Sequence, residues 1–307
     1  MDKQDIYLVL GGGAALGYAH IGVIAELEKK YNIRGIIGTS MGSIIGGLYA
    51  SRLNPVEILE IAKEINLANF LKKNIFGFRK GLLDTEELLK SFNQFTNNVL
   101  IENLEIEYAA IAFDLYGIAP KYIPETVIIK QGCLSSAMVA SSNLPFLNNP
   151  FKYQGRYLID GGVGFPLPIE FVGCFKEELP IIAVNVLPSL LYDPSQLEVE
   201  EVRNEKKISN DFFFINALKA NIYNQAYLAL NSIQNVKPDI YISAHISSLN
   251  AWDFDKVDEF YALGIKSVNE SLQRINDEDD IIDEITNKSK NLFKRIKKVF
   301  NYLKNNA

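Results

Sequence analysis

From Ile6 to Ala25 the chain carries no charged residue, yet Gly11, Gly12, Gly13 and Gly17 stand inside that stretch. Twenty apolar residues can cross a bilayer, but three consecutive glycines make a poor helix. The reading that remains is a buried strand over Ile6–Leu10, a tight glycine turn, and a helix running to about Lys30. Ile21, Ile24 and Leu27 give that helix its apolar side, and Glu28-Lys29-Lys30 end it in water. The leader Met1-Asp2-Lys3-Gln4-Asp5 lacks the positive charge of a secretory signal, so the sequence predicts a cytoplasmic protein.

A second strand is expected at about Ile33–Ile37, and a second helix from Met41 to about Arg52. Together these elements make a βαβ unit, in which the two strands must run parallel. Further strands are expected near Tyr108–Phe113, Val127–Lys130, Arg156–Ile159, Ile181–Val186 and Asp239–Ser243, and helices near Phe212–Ile233 and Lys256–Ile275. The alternation predicts an α/β fold, a three-layer α/β/α sandwich around a mostly parallel sheet. Apolar residues make up 48% of the 307, enough to fill one core over residues 1–275. Two cysteines, Cys133 and Cys174, do not make a disulfide framework. Two histidines, His20 and His245, with no CxxC or HExxH spacing, predict no metal site. Asp277–Glu284 is an acidic run, placing a linker at 276–285. Residues 286–307 carry seven cations and no acid, which leaves −13 of the net −6 on the other 285 residues. A body that acidic excludes nucleic acid as a partner.

Three stretches carry chemistry. The glycine turn, Gly11 to Gly17, follows a strand and opens a helix, so its N–H groups can face an anion. That anion is either a nucleotide phosphate or the oxyanion of an acyl transfer. A dinucleotide fits poorly, because Leu16 occupies the third glycine position and no acid ends the second strand. Gly38-Thr39-Ser40-Met41-Gly42 is a GxSxG between strand and helix, where a nucleophilic serine sits on a strained turn with glycines at its sides. Only 27 residues separate Gly13 from Ser40, and adjacent strands lie about 4.8 Å apart. The two turns therefore emerge side by side at one sheet edge. Asp160-Gly161-Gly162 follows a third strand. A carboxylate at that strand end can accept the Ser40 proton if its oxygen reaches hydrogen-bonding distance; the alternative is a plain turn, since Asp-Gly is a common turn dipeptide.

In their order and spacing these stretches resemble the patatin-like phospholipase family over roughly residues 5–270. Ala19-His20-Ile21-Gly22-Val23, Gly81-Leu82-Leu83-Asp84 and Ala140-Ser141-Ser142-Asn143-Leu144-Pro145-Phe146 strengthen the likeness. The resemblance implies a serine–aspartate dyad without histidine, Ser40 as nucleophile and Asp160 as base. It also implies an oxyanion hole from the Gly11, Gly12, Gly13 and Ala14 backbone, which the Met41 N–H would join. The implied substrates are phospholipids or other acyl lipids, with no metal or cofactor. Two positions depart from the family: Leu16 stands where members often carry Arg or Lys, and Phe165-Pro166 where asparagines often follow Asp-Gly-Gly.

Two other readings stand beside this one. Ser40, Asp160 and His245 follow the chain order of α/β-hydrolase triads, which would suit small soluble esters. A non-catalytic lipid- or anion-binding protein would keep the same scaffold. Lys72–Lys80 mixes aromatics with cations, and reads either as a flap over Ser40 or as a surface loop. Phe212-Phe213-Phe214 reads as core. In the tail, Leu292, Phe293, Ile296, Val299, Phe300 and Leu303 share a helical face, and Lys294, Arg295, Lys297 and Lys298 lie around it. Such a helix either lies at a membrane surface, here the inner one, or docks on the domain or a second subunit.

Overall fold

The computed structural model describes residues 3–65, 85–118, 120–145, 147–189, 213–244 and 249–276. The Lys72–Lys80 stretch, Gly81–Asp84, Phe146, Phe212, His245, the acidic linker beyond Asn276 and the whole basic tail lie outside the described residues.

Among the described residues eight strands form a single sheet: β1 (Gln4–Leu10), β2 (Tyr31–Thr39), β3 (Glu107–Asp114), β4 (Glu125–Ile129), β5 (Phe151–Tyr153), β6 (Arg156–Asp160), β7 (Ile181–Asn185) and β8 (Ile240–Ser243). The order is β5-β6-β3-β2-β1-β7-β8, with β4 also on β3. β1, β2, β3, β7 and β8 are parallel; β4 and β6 run antiparallel to β3, and β5 to β6. Helices α1 (Ala19–Leu27), α2 (Met41–Ala50), α3 (Pro55–Glu64), α4 (Thr85–Phe95), α5 (Leu134–Ser141), α6 (Phe213–Asn235) and α7 (Val257–Asn276) cover the two faces. The mostly parallel three-layer arrangement is thus the one the alternation of elements predicts. Ile6 to Leu10 are all buried, as a strand covered on both faces requires.

Some elements differ from the sequence reading. The glycine turn runs into a 3-10 turn at Ala14–Tyr18, and the α-helix that it opens starts at Ala19. The Ala15 N–H donates to the Ala251 carbonyl at 3.0 Å, so this turn is tied to a distant segment. α3, α4, α5 and β5 are additional. α1 crosses α7 with almost no space between backbones, since a Cβ on Gly22 would strike the Tyr261 carbonyl and one on Gly264 the Ala19 carbonyl. Among the described residues no helix is long and apolar enough to cross a membrane.

β3 holds the key to the site. Its residues Ala110 and Ile111 pair with Gly38 and Thr39 of β2 and also with Ile129 and Ile128 of β4, so β2 and β4 occupy opposite edges. Ala112 pairs with both Val127 of β4 and Asp160 of β6, so β6 must lie on the edge that β2 occupies. β2 and β6 therefore approach along one edge from opposite directions, with Thr39 opposite Ile111 and Asp160 opposite the very next residue.

Candidate active site

Ser40 stands between β2 and α2 at φ 54°, ψ −125°. A positive φ costs a residue with a side chain on the order of 1–3 kcal/mol and persists only where the surroundings enforce it. Here they do. The Ser40 carbonyl accepts from the N–H groups of Ser43 (2.9 Å) and Ile44 (3.1 Å) and from the Ser43 hydroxyl (2.7 Å). The Ser40 N–H donates to Ser141 Oγ at 3.0 Å, and that hydroxyl donates to the Ile111 carbonyl at 2.6 Å. Gly38 and Gly42 are demanded by close approach: a Cβ on Gly38 would lie 2.5 Å from the Gly42 carbonyl carbon, and one on Gly42 would collide with the carbonyls of Leu10 and Gly11.

Asp160 is 1% exposed and Ser40 6%. The Asp160 N–H donates to the Asn143 carbonyl at 2.9 Å, and Asn143 Nδ2 donates to the carbonyls of Asn149 (2.9 Å) and Leu158 (3.1 Å). Oδ1 of Asp160 accepts the Gly162 N–H at 2.7 Å. Burial pushes the carboxyl up from 3.8 to about 6, against the Ser40 hydroxyl and the Gly162 N–H, which stabilise its charged form. Its other oxygen, Oδ2, is buried and has no hydrogen-bond partner among the described residues. That suits a base, whose remaining lone pair must stay available. Gly161 lies over β3, where a Cβ would strike the Ile111 carbonyl.

The glycine turn packs against the elbow. A Cβ on Gly12 would lie 3.2 Å from Ser40 Cβ. The turn's donors fall into two groups. Gly11 N–H donates to the Val184 carbonyl (3.0 Å) and Gly12 N–H to the Pro166 carbonyl (2.8 Å). Gly13 and Ala14 N–H have no partner among the described residues, and Met41 N–H stands at the start of α2. Of the five amides expected from sequence to meet an oxyanion, those of Gly11 and Gly12 are thus spent on the scaffold. Phe165-Pro166, the stretch that departs from the family, ties the parts together: Phe165 offers its carbonyl to Thr39 Oγ1 at 2.8 Å, and Pro166 holds Gly12. Leu16, the other departure, is buried.

His20 is fully buried, with Nε2 2.7 Å from the Gly11 carbonyl. Burial pushes its pKa down to about 4, against that carbonyl, so it is neutral at pH 7 and donates from Nε2. It packs in the core and clamps the turn. Sequence reasoning assigned no role to Ser141 or Asn143. Both lie in the Ala140–Phe146 stretch, so the signal was present without its meaning.

Ser40 opens into an apolar cleft enclosing about 480 Å3, counting its mouth, between Met41, Ile44, Leu88, Leu144, Leu147, Trp252 and Phe254. A second apolar recess, about 310 Å3 counting its mouth, lies behind Met41 and Ile44. The arrangement is a strained hydroxyl facing a buried carboxylate, beside amide donors that have no partner among the described residues, at the foot of an apolar cleft.

A family model described as patatin-like phospholipase matches residues 8–172, a span that contains the glycine turn, the elbow and Asp160-Gly161-Gly162. An NTE family protein of Mycobacterium tuberculosis is 38% identical over 181 residues, covering 57% of this chain and 48% of its own length. Lysophospholipase NTE1 of Debaryomyces hansenii is 28% identical over 292 residues, covering 89% of this chain and 18% of its own. The chain spans about half the length of the first of these curated relatives and less of the second. Among solved structures, VipD from Legionella pneumophila aligns with a TM-score of 0.51 at 14% identity, over 89% of this chain and 67% of that one, a likeness of fold.

Proposed function

The chain belongs to the patatin-like phospholipase family, and from that premise we propose that it hydrolyses acyl esters of lipids through a Ser40–Asp160 dyad. The observation that carries this reading is the buried Asp160 carboxyl set against the strained Ser40 hydroxyl at the foot of an apolar cleft. The name lysophospholipase borne by the Debaryomyces relative supports a lipid ester as substrate.

In this mechanism the acyl chain lies along Ile44, Leu144, Leu147 and Phe254. Ser40 Oγ attacks the ester carbonyl carbon while its proton passes to Asp160. The carbonyl oxygen, now an oxyanion, accepts from the Gly13, Ala14 and Met41 N–H groups. One such donor typically contributes about 3 kcal/mol to transition-state stabilisation. As the tetrahedral species collapses, Asp160 returns the proton to the departing alcohol and an acyl-Ser40 remains. Water then attacks the acyl carbon, Asp160 takes its proton and passes it to Ser40 Oγ, and a fatty acid leaves.

Ser40→Ala and Asp160→Asn are each expected to lower turnover of a short-chain nitrophenyl ester by about a thousand-fold or more. A fluorophosphonate should label the wild type and spare Ser40→Ala. Substantial turnover in either variant, with the protein folded, removes the dyad.

A further inference from the structure

We propose that the tip of the β3–β4 hairpin, with Tyr157 of β6 beside it, docks on a lipid–water interface and presents the Ser40 cleft to it. The proposal rests on the lipid-hydrolase reading and adds the surface on which that reaction takes place. Five large side chains stand out here: Tyr116 is 55% exposed, Ile118 48%, Tyr122 68%, Ile123 61% and Tyr157 45%. A cluster of that kind marks a binding surface.

The exposure is built in. Asp114, fully buried, accepts the N–H groups of Tyr116 (3.2 Å) and Gly117 (3.0 Å). Arg156 bridges Asp114 (3.0 Å) and Glu125 (2.6 Å), locking the base of the hairpin to β6. The Tyr116 and Tyr157 rings meet edge to face, 5.8 Å between centroids. A braced hairpin that holds its apolar side chains in water has no internal reason to do so.

The position selects the partner. β2 stops at Thr39, opposite Ile111, whereas β3 runs on to Asp114. At about 3.3 Å per residue, the hairpin passes the level of Thr39 by about 10 Å, and that of Ser40 by about 7 Å, before its tip begins, on the sheet edge where Ser40 lies. A lipid surface touching the tip therefore faces the end of the sheet at which Ser40 stands, whereas a protein bound there would cover that end. The charge agrees. Between Leu115 and Pro124 the single charged residue is Lys121, although residues 1–285 sum to −13. The body is repelled by an anionic leaflet, but the tip offers tyrosines and isoleucines, which suit the headgroup boundary.

The test uses the full chain carrying Tyr116→Ser, Ile118→Ser, Tyr122→Ser and Ile123→Ser together, and separately Tyr122→Glu in case the first variant folds poorly. Co-sedimentation with phosphatidylcholine vesicles should fall about ten-fold or more in both. Wild-type binding should change little between about 0.1 M and about 1 M salt, since the tip carries one charge. Turnover of vesicle lipid should fall in parallel, while turnover of a soluble short-chain ester stays within about two-fold. Tyr116→Phe with Tyr122→Phe should keep vesicle binding. Unchanged sedimentation overturns the proposal, as does an equal loss on the soluble ester, or loss of self-association with vesicle binding intact. A wild type that binds vesicles through this tip but hydrolyses no ester would instead sink the enzymatic reading and leave the docking surface standing.

Discussion

Ser40 keeps its unfavourable backbone because three hydrogen bonds hold its carbonyl and a relay through Ser141 holds its N–H. Asp160 is costly in a different way. Its carboxyl has an ordinary pKa of 3.8 and one of about 6 in the folded chain, so the native state binds the proton more tightly than the unfolded one. This group therefore favours folding most below pH 3.8, and that contribution is lost as pH rises through about 6. The full loss is on the order of 2–3 kcal/mol. Asp160→Asn, which keeps an oxygen for the Gly162 N–H, should accordingly raise the melting temperature at pH 8 and give no gain at pH 4. The same titration governs catalysis: a protonated Asp160 takes no proton from Ser40. Turnover should fall about ten-fold per pH unit below about 6, and a flat profile between pH 5 and 8 would remove Asp160 as the base. Ser40 and Asp160 were legible as residues from their GxSxG and Asp-Gly-Gly settings. Ser141 and Asn143 were not, because a serine or asparagine in a short stretch declares no partner until the strands it bonds are in place.

Among the elements, α3 shows a local signal that sequence reading passed over. Asn54 Oδ1 accepts the N–H groups of Val56 (3.0 Å) and Glu57 (3.1 Å), Glu57 Oε2 accepts the Asn54 N–H at 2.7 Å, and Pro55 follows at the first helical position. This capping box is worth about 1 kcal/mol. Asn54→Ala should lower stability by that amount in urea unfolding and leave ester turnover unchanged, since α3 places no residue in the Ser40 cleft. α5 escaped for the opposite reason. Seven of its eight residues are buried, so it has no polar face to give a helical period. β5 spans three residues, too few for an alternation to register. The glycine turn closes on a 3-10 turn at Ala14–Tyr18, and Ala251, which holds it, belongs to a segment no local pattern connects to it.

At the scale of the whole molecule, the acidic body and the basic residues 286–307 predict two separable modes of surface attachment. Seven cations near an anionic leaflet contribute roughly 1 kcal/mol each before screening. Deleting 286–307 should abolish the salt-sensitive part of binding to vesicles containing phosphatidylglycerol, and leave fluorophosphonate labelling of Ser40 intact. Unchanged binding after the deletion assigns the tail to the protein itself.

The strand–turn–helix units, their parallel run and the nearness of the glycine turn to Ser40 were readable from residue order, because one 27-residue connection leaves the chain few ways to close. The meeting of Ser40 with Asp160 was not. It depends on β6 returning antiparallel on the edge of β3 that β2 has just vacated, one residue beyond Thr39, a pairing that no local pattern dictates. Which amides are spent was also decided in three dimensions, since Gly11 and Gly12 donate theirs to Val184 and Pro166, carbonyls delivered by chain far downstream.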